Sequence, residues 1–180
     1  DKRAFLRMYN PERYGDVIHR FTLEQAEERG EVQSGVELGS SGTLTLRVDM
    51  PWKVDGELIG YIEFGKEIDH IVPSLSSALG VDLLVIIETS RLDRQKWGKG
   101  RALMGHEARW EELPDRVVIA RTIERVPERL AEFLASDHQE NTDLLFDVNY
   151  GAQHFRGGAT PLYAADGDKI GEIIAMRDFA

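Results

Sequence analysis

A chain of 180 residues with 22 basic against 32 acidic side chains carries a formal charge of −10, and 42% of it is apolar. Length and apolar share suffice for one ordinary domain or two small ones with a core, which excludes a disordered or low-complexity tether. The acidic balance, with no stripe of Lys and Arg, argues against nucleic acid as a partner. The absence of cysteine excludes disulfides, thiolate metal sites and thiol catalysis.

In chain order, Ala4–Tyr9 reads as a strand and Asn10-Pro11 as a breaker, and Asp16–Arg29 reads as a helix closed by Gly30. Val36–Leu38 enters a sheet, and Thr43–Met50 and Leu58–Phe64 form a hairpin around Asp55-Gly56, a dipeptide suited to the positive φ of a type I′ turn. A second helix spans Asp69–Leu79 with Gly80 as its stop and Pro73 in its first turn. Leu83–Ile87 is a continuous apolar strand. Ala102–Leu113 and Val126–Ala135 read as helices, and Leu144–Val148, Gln153–Phe155 and Ile170–Met176 complete a second sheet. Alternating Glu and Arg through Arg109–Arg129 read as solvated surface, and Gly98-Lys99-Gly100-Arg101 as a basic surface turn.

The chain also repeats itself. Pro51–Ile62 resembles Pro161–Ile173 around Asp55-Gly56 and Asp166-Gly167, each copy having an arginine upstream, Arg47 and Arg156, and before that a glycine, Gly42 and Gly151. The expected fold is therefore α+β: two tandem modules, each a mainly antiparallel sheet flanked by helices. Residues 1–66 form the first, which lacks a leading helix and strand, and 67–180 the second.

No apolar run approaches the roughly 18 residues of a membrane-spanning helix, and no signal peptide pattern is present, so this stretch by itself is expected to be soluble. Starting at Asp1 and running at once into strand-like sequence, it reads as a piece of a longer protein.

Phe5–Asp16, Gly35-Val36-Glu37-Leu38-Gly39, Leu46-Arg47-Val48 with Pro51, and Leu58–Glu63 together resemble the Cache sensory domains, the extracytoplasmic PAS-like domains of bacterial chemoreceptors and sensor histidine kinases. The repeat points to their double form. The resemblance implies a periplasmic or otherwise extracytoplasmic sensor of an inner-membrane protein, flanked by transmembrane helices. The first module would be membrane-distal and hold the ligand, and the second membrane-proximal. Tyr9 and Val17 depart from the family pattern, so ligand identity does not carry over.

Six residues are expected to bind the ligand: Arg7, Tyr14, Asp16, Arg47, Trp52 and Tyr61. A guanidinium presents a fork of donors to a carboxylate, while Asp16 accepts from an amine, amide or urea-like group, or else caps the helix that follows it. In Thr43–Met50 the even positions are apolar and the odd ones polar. The polar face is either solvated or covered as a pocket anchored by Arg47, with Trp52 or Tyr61 as a wall.

His19, His70, His106, His138 and His154 show no metal-binding spacing, and Ser40-Ser41-Gly42 lacks a nucleophile elbow. No cofactor, metal or catalytic residue is expected, and a homodimer is expected in the full receptor. The alternative reading is a cytoplasmic PAS- or GAF-like regulatory or dimerisation domain. A hydrolase would have to draw on Glu37, Asp49 and Glu63, which show no acid–base spacing.

Overall fold

A computed structural model describes residues 2–39, 42–103, 105–135, 144–150 and 153–179. Among them are four helices, α1 (Phe21–Arg29), α2 (Ile68–Leu79), α3 (Arg94–Leu103) and α4 (Glu128–Ala135), and one 3-10 turn at Thr89–Arg91. The strands are β1 (Gln33–Leu38), β2 (Leu44–Val54), β3 (Glu57–Glu67), β4 (Asp82–Glu88), β5 (Arg116–Arg121), β6 (Leu144–Tyr150), β7 (Gln153–Tyr163) and β8 (Lys169–Asp178). They form a three-stranded sheet in the order β1-β2-β3 and a five-stranded one in the order β5-β4-β8-β7-β6. The pairings of the second are antiparallel throughout.

The chain divides into two compact units, residues 1–35 with 47–65, and residues 36–46 with 66–180. The second holds a two-sided core. Along β4, Leu84 and Ile86 pack on one face with Leu130 and Leu134 of α4, and with Phe146, Val148, Phe155, Ile174 and Met176. Leu83, Val85 and Ile87 pack on the other with Leu44, Val72 of α2 and Trp97 of α3. A strand buried on both faces has no polar face to keep, which is why Leu83–Ile87 is apolar without alternation. The first unit buries little apolar surface, Leu23 and Ala26 of α1, beside the polar Thr22, Arg47 and Asp49.

Several sequence expectations shift. Ala4–Tyr9 is not a strand: Arg3 pairs with Val17 in an isolated bridge, and Asn10 and Pro11 turn the chain back through bonds from Asn10 N to Arg7 O (3.1 Å) and Arg13 N to Asn10 O (3.1 Å). The first helix begins at Phe21 rather than Asp16, because Val17 is held extended in that bridge, and Arg20 is its N-cap. Pro73 lies inside α2 beyond its first turn.

The helix expected at Ala102–Leu113 lies earlier, at α3. Asp93 caps its start through Lys96 N (2.9 Å). Gly105, at φ +74°, ends it, with His106 N bonding Arg101 O and Gly105 N bonding Ala102 O in a Schellman pattern. Gly98–Arg101 is therefore helix and not a surface turn. Within the supposed surface of Arg109–Arg129 lies β5, whose Val117–Ala120 is buried.

The two Asp-Gly turns differ. Asp55 (φ +51°) and Gly56 (φ +85°) both have positive φ, as a type I′ hairpin requires. At the second, only Gly167 (φ +90°) does, and its N–H bonds Ala164 O at 2.9 Å, the signature of a type I turn ending in a left-handed glycine. Gly56→Val should therefore destabilise the domain by about 1 kcal/mol or more in urea unfolding. A smaller loss is expected from Asp55→Gly, which relieves rather than adds positive-φ cost.

Candidate functional site

Strand β2 carries the decisive local pattern. Between Thr45 and Asp49 its polar residues are the buried ones: Thr45, Arg47 (8% exposed) and Asp49 (0%) are covered, whereas the apolar Leu46 is exposed and Val48 half-buried, and Met50, Trp52 and Val54 beyond them are exposed. The face is covered at Arg47 rather than open to solvent. Burying a guanidinium and a carboxylate is costly unless each finds partners. Arg47 Nη1 donates to Glu63 Oε1 of β3 at 2.6 Å, and Thr22 Oγ1 of α1 donates to Asp49 Oδ2, also at 2.6 Å. Helix α1 turns Thr22, Leu23 and Ala26 inward, so one turn supplies both the apolar contact and the hydroxyl that meets Asp49.

Arg7 and Asp16 form a second assembly within the same unit. The Arg7 fork grips both Asp16 oxygens, at 2.7 and 2.8 Å, and Nη1 also reaches Arg13 O at 2.8 Å. The Arg7 hydrogen bond holds the Asp16 carboxyl below its ordinary range and raises the Arg7 guanidinium above its own. Asp16 thus clasps the loop and does not cap α1, whose N-cap is Arg20. The clasped loop presents Phe5, Met8, Tyr9 and Tyr14 outward.

The sign of this clasp fixes its pH dependence. A carboxyl lowered in the folded state contributes above its unfolded value and loses that contribution as pH falls through the folded one. Arg7→Gln should accelerate amide exchange across residues 7–15 at neutral pH. Wild type should approach the variant only below about pH 4.

The structure thus brings Arg7 to Asp16 and Arg47 to Glu63. Tyr61 is half-buried on β3, Trp52 lies at the opposite strand parity from Arg47, and Tyr14 is exposed on the clasped loop. Thr22 escaped the sequence reading, although its spacing to Ala26 on one helix face was available. Arg156, the repeat counterpart of Arg47, is exposed and paired with Asp147 at 3.1 Å, so the two copies differ where the first buries its cation. Gly151, Ser40, Ser41 and His138 lie outside the described residues.

In the second unit, Arg101 of α3 donates to Asp69 Oδ2 (2.9 Å) and to Ile119 O (2.7 Å), and burial lowers its pKa. Gly42, at φ +75°, lies against the Trp97 indole, where a Cβ would come within 2.7 Å of the ring. These contacts hold α2, α3 and β5 together. Among the described residues no cluster of three or more His, Asp or Glu side chains is arranged to hold a metal ion.

A family model, dCache_3, describing a double sensory domain of two-component sensor kinases, matches residues 1–179. The chain belongs to this family. Mixed α/β architecture with antiparallel sheets and four helices among the described residues is consistent with a Cache fold. No curated protein matches the chain. No helix among the described residues of this dCache_3 domain is long and apolar enough to cross a membrane.

Proposed function

We propose that the chain is the extracytoplasmic, non-catalytic ligand-binding part of a transmembrane receptor, a sensor kinase or chemoreceptor, built as two tandem PAS-like modules. Supporting the duplication, β1-β2-β3 runs in the same neighbour order as β6-β7-β8, the remaining strands β4 and β5 extending only the second sheet. The first module, residues 1–66, is membrane-distal, and the second, 67–180, membrane-proximal. Flanking helices of the full receptor supply the membrane anchor. Exposed Phe5, Met8, Trp52 and Phe64 of the first unit suit a receptor that works as a homodimer.

The ligand is small and polar, carrying a carboxylate, amide or urea-like group, an amino acid included, and is held in the first module. The inverted burial of β2 carries this reading: a protein of net charge −10 keeps a covered cation, Arg47, on a sheet face beneath α1. Arg47 anchors the anionic end and Tyr61 flanks it. The loop set by Arg7 and Asp16, with Tyr14 on it, forms the rim, and Trp52, on the other face of the strand, stays outside it. Ligand binding exchanges Glu63 for the ligand at Arg47, and that exchange is the two-state element a sensor needs.

A thermal-shift screen of amino acids, organic acids, amines and ureas tests the proposal, since a ligand that binds only the folded state raises its apparent stability. The shift given by a hit should vanish in Arg47→Gln while the variant remains folded. Wild-type affinity in that variant would remove the site from β2. A transmembrane segment on each side of the chain in the full protein separates this reading from a cytoplasmic regulatory domain.

A further inference from the structure

Two histidines of the second unit stand on carboxylates, in different ways. His106 Nε2 lies 3.4 Å from Asp69 Oδ2, which Arg101 already holds at 2.9 Å. His154 engages both ring nitrogens: Nδ1 is 2.7 Å from Asn149 Oδ1, and Nε2 is 2.8 Å from Asp147 Oδ1. A neutral imidazole has one N–H and one lone pair, so facing two oxygens it satisfies one of them. An imidazolium has two N–H donors and satisfies both. We propose that His154 is a proton-operated latch that ties edge strand β6 to β7, giving the second unit a response to acidity independent of the ligand site in the first.

The register places the parts. Asn149 lies directly opposite His154 and Asp147 opposite Arg156, so both acceptors belong to β6, the outer strand of the five-stranded sheet. The charges around the ring are few. On β7, Arg156 reaches Asp147 through Nε and Nη2 at 3.2 and 3.1 Å, but on Oδ2, which leaves Oδ1 to the imidazole. On β8, Arg177 lies opposite Arg156, and Asp178 Oδ1 is 3.4 Å from the His154 backbone N–H. Three cations would then face two carboxylates, so the latch rests on the two directional hydrogen bonds and not on a surplus of negative charge. His154 O also accepts Phe179 N at 2.8 Å, so the latch sits where the start of β7 meets the end of β8.

The sign follows from donor count. With the proton on, β6 has two side-chain ties to His154. With the proton off, one tie is lost and β6 opens more readily. Both side chains are partly exposed, so the effect is local to the strand rather than global.

Ring-nitrogen NMR and amide exchange of the whole 1–180 chain between about pH 5 and pH 8 test the latch. Expected are an imidazolium at the acid end and exchange in β6, corrected for intrinsic rate, rising several-fold toward the alkaline end. His154→Gln should abolish that pH dependence, and His106→Gln should leave it intact. The proposal is overturned if the ring stays a single neutral tautomer accepting from a rotated Asn149 amide, or if His154→Gln retains the wild-type profile.

Discussion

Gly171→Val is expected to leave the second unit without its native sheet, and Gly171→Ala to cost about 3 kcal/mol, at the upper end of overpacking effects. Gly171 lies in β8 between two partners, opposite Ile87 of β4 and Leu162 of β7. A Cβ there would fall on the Ile86 carbonyl oxygen and lie 2.9 Å from Ile87 Cα. Those are backbone atoms of the central ladder, so no rotamer change relieves the clash and β4 must move away from β8. Both apolar faces of β4 then lose their packing, because the same strand serves both. Gly60→Ala is the control: Gly60 also lies in a strand, but nothing stands within 4 Å of its Cβ position, and a change within about 0.5 kcal/mol is expected. Urea unfolding followed by far-UV circular dichroism, which reports both units, distinguishes the two.

Asp49→Ala carries the second large effect, in the first unit. The carboxylate is fully buried and accepts the Thr22 hydroxyl, so the substitution leaves that hydroxyl without its acceptor and removes the negative charge nearest along the strand to buried Arg47. A hydrogen bond to a charged group is worth about 1.5–3 kcal/mol, and Arg47 keeps Glu63 as its partner. A loss of about 3 kcal/mol is expected, with the amides of α1 exchanging faster. Thr22→Val, which keeps the shape and removes only the hydroxyl, should cost about 1–2 kcal/mol. If Asp49→Ala were neutral, the polar face of β2 would not be what holds α1.

The contrast between β4 and β2 shows what the sequence makes legible. Leu83–Ile87 declares a two-sided core strand because hydrophobicity alone decides its place. Strand β2 alternates correctly, but alternation does not say which side is covered. The usual rule would bury Leu46 and Met50, whereas here Arg47 and Asp49 are buried by pairing with Glu63 and Thr22, residues far along the chain. The Asp55-Gly56 turn was readable to its type because two positive φ angles are a local demand. Asp166-Gly167 offers the same type I′ signal, yet only Gly167 has positive φ, since the same dipeptide also serves a longer loop. The helix shift from Ala102–Leu113 to α3 came from Gly105, whose left-handed φ is a stop signal that the apolar spacing around it obscured. Arg7 and Asp16 stand out by motif as a donor and an acceptor for a ligand, not as partners of each other. That they complete each other within one loop depended on the turns at Asn10 and Pro11, which a strand assignment for Ala4–Tyr9 concealed.

Binding of the proposed small polar ligand in the first unit, on the covered polar face of β2, is checked by mapping NMR shift changes on the 1–180 chain as a thermal-shift hit is added. The largest changes are expected on Arg47, Asp49, Tyr61, Glu63 and the residues of α1, and the Arg47 side-chain N–H signal should move as Glu63 is exchanged for the ligand. Changes confined to β4–β8, with Arg47 and Glu63 unmoved, would contradict it.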